Sequence, residues 1–193
     1  MCCRVRLQLS SSAFHPLIHS SNHGIASAME DLHVRDARAD ELEELFELNQ
    51  ANTPHLGSVS PGGLRGLHER AVYFRVAESA RRVVGFLVAF DPSAAYDSVN
   101  FLWFRERFDS FVYIDRIAVV PEGRRRGVAS LLYGNLEAFA RKRQVPIMAC
   151  EYNLRPPNEV SRLFHRNCGF EEAGRQETEG GKKFVSLQVK RLG

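Results

Sequence analysis

Hydrophobic and polar positions along this chain repeat with two different periods, and the switches between them mark out its elements. Val34-Arg35-Asp36 reads as a short first strand, and folded character begins near His33. Over residues 39–50 the apolar positions Leu42, Leu45, Phe46 and Leu48 fall close to helical spacing. Asp40 and Glu41 sit in the first turn, where the helix dipole favours acid, and Asn52-Thr53-Pro54 ends the helix. Ser60 as cap and Pro61 at the first helical position predict a second short helix reaching Arg70. Residues 71–78 alternate in places and predict a strand, with a turn over residues 79–82. The nearly continuous apolar run over residues 83–90 then predicts a hairpin partner covered on both faces.

Residues 91–110 show no period and carry the aromatics Tyr96, Phe101, Trp103, Phe104 and Phe108. They read as an irregular stretch, either a loop with its own small hydrophobic cluster or a flap over a substrate. The strongest strand follows over residues 111–120, then a basic turn over residues 121–126. A helix over residues 127–143 buries Val128, Leu131, Leu132, Leu136, Phe139 and Ala140. A strand over residues 147–152 and a short helix over residues 158–167, stopped by Gly169, come next. Strands over residues 172–175 and 184–189, joined through Gly180-Gly181, close the chain. The sum is an α/β protein whose sheet has about six or seven strands.

Composition narrows the class. The chain has 193 residues, 44% of them hydrophobic and 25% charged, as expected of one domain that folds without staples. A net charge of +3 is too small for the clustered basic face of a nucleic-acid binder. No run of about 18 apolar residues is present to span a membrane. Cys2, Cys3, Cys150 and Cys168 fit no zinc spacing, so we expect no metal site, reduced thiols and a cytoplasmic location. Residues 1–29 contain Arg4, Arg6, many serines and no acid, a composition that admits an organellar transit peptide. We read them as a disordered tail, or as sequence upstream of a working start at Met29, with residues 30–193 forming the domain.

The main chemical signal is Ile117-Ala118-Val119-Val120-Pro121-Glu122-Gly123-Arg124-Arg125-Arg126-Gly127-Val128-Ala129. A strand runs into a turn that opens a helix, so unpaired N–H groups and the positive end of the dipole face one spot. That combination suits a diphosphate. The arginines add positive charge, Gly127 permits close approach, and Ala129 keeps the helix start uncrowded. The turn lacks the Lys-Ser/Thr pair of a nucleotide P-loop. Downstream, Asn158, Ser161, His165, Gly169 and Phe170 fall in a fixed register on the last helix.

Together these two constellations resemble the GNAT acetyltransferase superfamily, whose pattern is a strand, RxxGxG/A, a helix, a strand, and a helix carrying Asn, a small residue, an aromatic and Gly-Phe. The resemblance runs from about Val34 to the end and is most specific over residues 111–170. It implies the acyl-CoA N-acyltransferase fold, a mixed, mostly antiparallel sheet flanked by helices and splayed between the strand ending at Val120 and the one beginning near Ile147. It also implies acetyl transfer from acetyl-CoA to a primary amine on a small molecule or peptide. The backbone of Ile117, Ala118 and Val119 would pair with the pantetheine arm like an added strand. The amides of Arg124, Arg125, Arg126, Gly127, Val128 and Ala129 would take the pyrophosphate, and Asn158 and Ser161 would steady the cofactor from the neighbouring helix. Many such proteins form homodimers; nothing in the sequence fixes the oligomeric state.

Acetyl transfer needs a neutral amine, so a base is useful near neutral pH, whereas a thiol leaves tolerably unaided. Glu151, between apolar Cys150 and Tyr152, is the first choice of base; the alternative is a strand-end acid paired with an arginine. Pro156 and Pro157 lengthen the turn after it. His165 stands where the family has Tyr and either donates a hydrogen bond to the departing sulfur, acts as its acid if protonated, or is a packing histidine. On strict alternation Tyr113, Asp115, Ile117 and Val119 share a face, which makes Asp115 a second base, an anchor for the substrate ammonium, or half of a structural ion pair. The substitution at His165 keeps a second function in view, a CoA-binding sensor without significant turnover.

Overall fold

The structure, a computed structural model, describes residues 31–53 and 56–193. The assignments made for residues 1–29, Cys2 and Cys3 among them, and for Pro54 lie outside the described residues. Among the described residues seven strands form one sheet: β1 (His33–Asp36), β2 (Tyr73–Ser79), β3 (Arg82–Phe90), β4 (Val112–Val119), β5 (Ile147–Arg155), β6 (Glu171–Thr178) and β7 (Lys183–Arg191). Their order is β1-β2-β3-β4-β5-β7-β6, and every neighbouring pair is antiparallel except β4 with β5. Among the described residues five α-helices flank it: α1 (Leu42–Gln50), α2 (Pro61–Arg70), α3 (Val99–Arg105), α4 (Val128–Lys142) and α5 (Glu159–Asn167).

The sheet separates two cores. On one face Leu45 of α1, Leu64 of α2 and Phe101 and Phe104 of α3 pack with Phe86, Val88 and Phe90 of β3. On the other, Val128, Leu132, Leu136 and Ala140 of α4 pack with Leu87 and Ala89 of the same strand. β3 reads as an unbroken apolar run because successive side chains enter different cores. The predicted helix stripe is corrected in detail. Leu131 and Phe139 are only half-buried, while Tyr133 is buried in their place.

The termini follow their local chemistry. The Ser60 hydroxyl accepts from Gly63 N at 2.9 Å and caps α2, as its sequence predicts. Residues 39–41 form a 3-10 turn ahead of α1. Beyond α5, Gly169 takes φ +82°. Gly169 N donates to Arg166 O and Phe170 N to His165 O, a Schellman end whose contact is the Phe170 ring against the His165 ring.

Two expectations are overturned. Residues 91–110 are not irregular throughout, because α3 lies within them and Phe101 and Phe104 are fully buried core residues. Strict alternation along β4 also fails. Val88 pairs with Arg116 and Ala89 with Ile114, so Asp115 is the extra residue of a β-bulge. Tyr113 and Ala118 therefore face one core, while Ile114, Ile117 and Val119 face the other.

The parallel pair β4–β5 sets up the site. It is held only at Val112↔Met148 and Tyr113↔Ala149, after which the strands diverge. β5 continues alongside β7 as far as Arg155, and β4 continues alongside β3 as far as Val119. The Arg155–Pro156 peptide, where the chain leaves β5 for α5, is cis.

Candidate active site

Where β4 and β5 part, a cavity of about 380 Å³ opens, and it brings together Asp115, Ile117, Glu151, Asn158, Ser161 and His165. Ala118 and Val119 do not line it; they pair with Phe86 and Gly85 of β3. Among the described residues no strand pairs with β4 on its β5 side beyond Tyr113. In an antiparallel strand every second residue points its N–H and C=O away from its partner. Half of the backbone groups of residues 114–119 are thus directed into the gap.

Glu151 sits in the wall of this cavity. Asn100 Nδ2 donates to its Oε1 at 2.9 Å and the Tyr113 hydroxyl to its Oε2 at 2.9 Å. Gln176 Nε2 donates to Asn100 Oδ1 at 2.5 Å, which leaves the Asn100 amino group to face the carboxylate. Burial pushes the carboxyl up to about 7, reinforced by the nearby charge of Asp115 and opposed by the two hydrogen bonds. Among the described residues no arginine or lysine bonds to it, which separates it from a strand-end ion pair. The result is a carboxylate that gains and loses a proton near neutrality beside a polar cavity.

Asp115 is differently placed. The bulge turns it to the same side as its neighbour Arg116, whose Nε donates to Oδ2 at 2.6 Å, while the Tyr96 hydroxyl donates to Oδ1 at 2.5 Å. Arg116 is anchored in turn by Asn49 Oδ1 at 2.9 Å. Both oxygens are engaged inside the protein, which is the arrangement of a buried, hydrogen-bonded ion pair.

His165 occupies the inner face of α5. Its ring lies 2.8 Å through Nδ1 from the Ser161 carbonyl, 3.2 Å through Nδ1 from the Ser161 hydroxyl, and 2.8 Å through Nε2 from the Tyr133 hydroxyl. Burial pulls its pKa down to about 4, so the ring is neutral at neutral pH. The Asn158 side chain accepts from Ser161 N at 3.0 Å and caps α5. This bond fixes the start of the helix that carries both Ser161 and His165.

The arginine-rich turn lies beyond the end of β4 and does not line the cavity. Arg125 has φ +60° and Gly127 φ +84°. Gly127 is required by this backbone conformation, since a Cβ there would meet nothing within 4 Å. Leu131 N to Gly127 O is the first bond of α4, so the amides of Val128, Ala129 and Ser130 have no acceptor in the helix. Val128 itself is buried, and Ala129 is half-buried. Arg124 Nη2 donates to Asn52 Oδ1 at 3.1 Å and ties the turn to the segment after α1, where Asn52 also lines the cavity.

Four residues of the site escape sequence reasoning. Asn100 and Gln176 come from segments with no informative pattern. Tyr113 is grouped by alternation with the wrong neighbours. Tyr133 carries a usable signal, because a hydroxyl one residue after Leu132 and three before Leu136 falls on the buried stripe and requires a partner there.

Comparison with known proteins places the arrangement. The acetyltransferase (GNAT) family profile matches residues 26–170. No curated protein matches the sequence significantly. Among solved structures, Ard1 from Thermoplasma volcanium aligns with a TM-score of 0.70 at 17% identity, over 84% of this chain and 98% of that one. The ribosomal-protein-alanine N-acetyltransferase from Brucella melitensis aligns at 0.63 and 23% identity, over 83% and 100%. YncA from Salmonella typhimurium, a putative acetyltransferase solved with its cofactor acetyl-CoA, aligns at 0.64 and 19% identity, over 84% and 94%.

Proposed function

We propose that this chain, which belongs to the acetyltransferase (GNAT) family, transfers the acetyl group of acetyl-CoA to a primary amine of a small molecule or a peptide. The observation that carries this is Glu151, a carboxyl raised to about 7 and held by two neutral donors in the wall of the cavity between β4 and β5. A carboxyl shifted towards neutrality by burial and a neighbouring charge, in the wall of a cavity, is the arrangement expected of a general base. A CoA-binding sensor shares the cofactor site but gives Glu151 nothing to do.

The residues present fit the cofactor. The open side of β4 over residues 114–119 offers backbone partners for a pantetheine arm, with Ile117 at the cavity. The amides at the start of α4, in a turn with three arginines, offer a diphosphate site. Asn158 and Ser161 border the same space from α5. Acetyl-CoA brings an acetyl thioester whose C–S bond breaks as the C–N bond forms. Glu151 takes one proton from the substrate ammonium, directly or through water, so that the nitrogen lone pair can attack; the second proton that nitrogen loses as the amide forms passes to solvent, and CoA leaves as the thiolate. Asp115 acts through its charge: it holds Tyr96 and Arg116 and raises the proton affinity of Glu151. The two Glu151 donors, Tyr113 and Asn100, fix its orientation. YncA supports the choice of cofactor, and the Brucella enzyme illustrates an acceptor on a protein, but the acceptor here is identified only as an amine. The free thiols of Cys150 and Cys168 accord with a cytoplasmic site of action. Among the described residues no helix is long and apolar enough to cross a membrane.

Calorimetry tests the cofactor site. CoA is expected to bind at least tenfold more tightly than pantetheine, which lacks the diphosphate. Gly127→Asn, which tolerates the left-handed backbone, should keep most of that affinity, whereas Gly127→Asp, of nearly equal shape but charged, should lose it. Equal affinities for CoA and pantetheine would overturn the assignment.

A further inference from the structure

The hydroxyl of Tyr133 is the part of the cavity that the proposed reaction leaves unused. Tyr133 stands on α4, one turn inside the helix that starts at the arginine-rich turn, and both Tyr133 and His165 line the cavity. Its oxygen is 2.8 Å from His165 Nε2, and its ring packs edge-on against Phe164 and Phe170. His165 is itself stacked on Tyr152. The imidazole is therefore fixed in place by α4, by β5 and by the Schellman end of α5.

What is not fixed is its proton. In one tautomer Nδ1–H donates to the Ser161 carbonyl at 2.8 Å and the Tyr133 hydroxyl donates to Nε2. In the other the Ser161 hydroxyl donates to Nδ1 at 3.2 Å and Nε2–H donates to the Tyr133 oxygen. The heavy atoms satisfy both without moving. Only the second releases the Tyr133 O–H proton from the imidazole and lets it point elsewhere. We infer that Tyr133 donates a hydrogen bond to the CoA sulfur as it leaves, and that His165 and Ser161 are positioning residues that free and aim its hydroxyl by this change of tautomer.

No proton is transferred in this step. Negative charge that develops on sulfur as the C–S bond breaks is met by the phenolic O–H, and the tyrosine stays neutral. Burial pushes the Tyr133 phenol well above its usual range, with smaller contributions from Cys150, Cys168 and Glu151, so it remains a donor at any working pH. His165, neutral under the same conditions, cannot serve as an imidazolium acid. The position where the family pattern has Tyr carries the support, and the donor comes from α4.

The inference rests on the cofactor reading but not on the identity of the acceptor, so it is tested on the CoA complex alone. The absorbance of the CoA thiolate is followed through a pH titration of the full-length protein loaded with CoA, with the titration of the free protein subtracted. On wild type the bound thiol should ionise below its ordinary value near 8.5. Tyr133→Phe should move the midpoint up by about one pH unit, the scale of one hydrogen bond to a charged group. Ser161→Ala leaves the helix cap intact, because Asn158 bonds to the Ser161 backbone, and should move the midpoint in the same direction. It decides the matter if Tyr133→Phe does not fold. Midpoints that coincide in wild type and in the folded variants would overturn the role of Tyr133 and leave the cofactor reading standing. A wild-type protein that binds no CoA would overturn both.

Discussion

At the scale of single residues, Glu151 and His165 are both held away from their ordinary protonation behaviour, with opposite consequences for stability. The Glu151 carboxyl is raised from 4.5 to about 7 in the folded protein. The native state then binds more protons than the unfolded state between those values, so Glu151 contributes stability that is fully present below pH 4.5 and is lost as pH rises through 7. His165 is lowered from 6.5 to about 4. Its contribution is present above pH 6.5 and is lost as pH falls towards 4. Melting temperatures across pH should separate the two. Glu151→Gln should gain on wild type between pH 5 and pH 8, because glutamine removes the rising cost of a buried carboxylate. His165→Gln should be the less stable protein at neutral pH and should close the gap towards pH 4. If the difference between Glu151→Gln and wild type does not change with pH, the environment assigned to Glu151 is wrong.

At the scale of elements, α3 shows where the sequence is silent and why. It has seven residues, and its apolar positions Phe101, Leu102, Trp103 and Phe104 are contiguous, so no period of 3.6 can be read from it. Ser98 precedes it without a side-chain cap bond. Its two roles are nonetheless divided cleanly by face. Phe101 and Phe104 enter the core, and Asn100 reaches Glu151. Phe104→Ala should therefore cost about 3–5 kcal/mol of stability in denaturant unfolding. Asn100→Ala removes a donor that lowers the Glu151 pKa, so it should raise the pH at which activity levels off and lower turnover at pH 7, both read from a pH-rate profile; a profile that coincides with wild type would contradict that contact. Trp103 is neither a bare flap nor a core residue: its ring covers Gly174 of β6, where a Cβ would lie 2.5 Å from Trp103 Cζ2. Gly174→Ala should consequently destabilise the protein by about 1–3 kcal/mol, and an unchanged melting temperature would contradict that packing. By contrast α4 and α5 were legible as helices, because each has a long apolar stripe or a cap and a glycine stop written into its sequence, although the α4 stripe misplaced Leu131, Phe139 and Tyr133. The β4 bulge was not, since an extra residue leaves no trace in a one-chain pattern until the partner strand is known.

At the scale of the whole molecule, two antiparallel blocks, β1 to β4 and β5 to β7, meet at a short parallel seam. The sequence announces the blocks through their hairpins and announces the seam through the strand–turn–helix that must cross between parallel neighbours. It does not announce how early the seam opens, and that determines which side chains share the cavity. Glu151, Asp115, His165, Asn158 and Ser161 were legible as an unusual set of polar residues on otherwise apolar or helical positions. Their hydrogen-bond partners Tyr113, Asn100 and Tyr133, with Gln176 behind Asn100, come from four separate elements and were set by tertiary packing. The central claim is that this set performs acetyl transfer, and the most direct measurement is acetyl-CoA-dependent thiol release across a panel of amines, in wild type and Glu151→Gln, from pH 6 to pH 9. Wild type should turn over at least one amine, with a rate that climbs through an apparent pKa near 7. Glu151→Gln should bind acetyl-CoA equally well, lose roughly a hundredfold or more of the rate at pH 7, and recover part of it at pH 9 as the amine deprotonates unaided. Tight acetyl-CoA binding with no amine raising thiol release above background hydrolysis, or a Glu151→Gln profile parallel to wild type, would contradict the account.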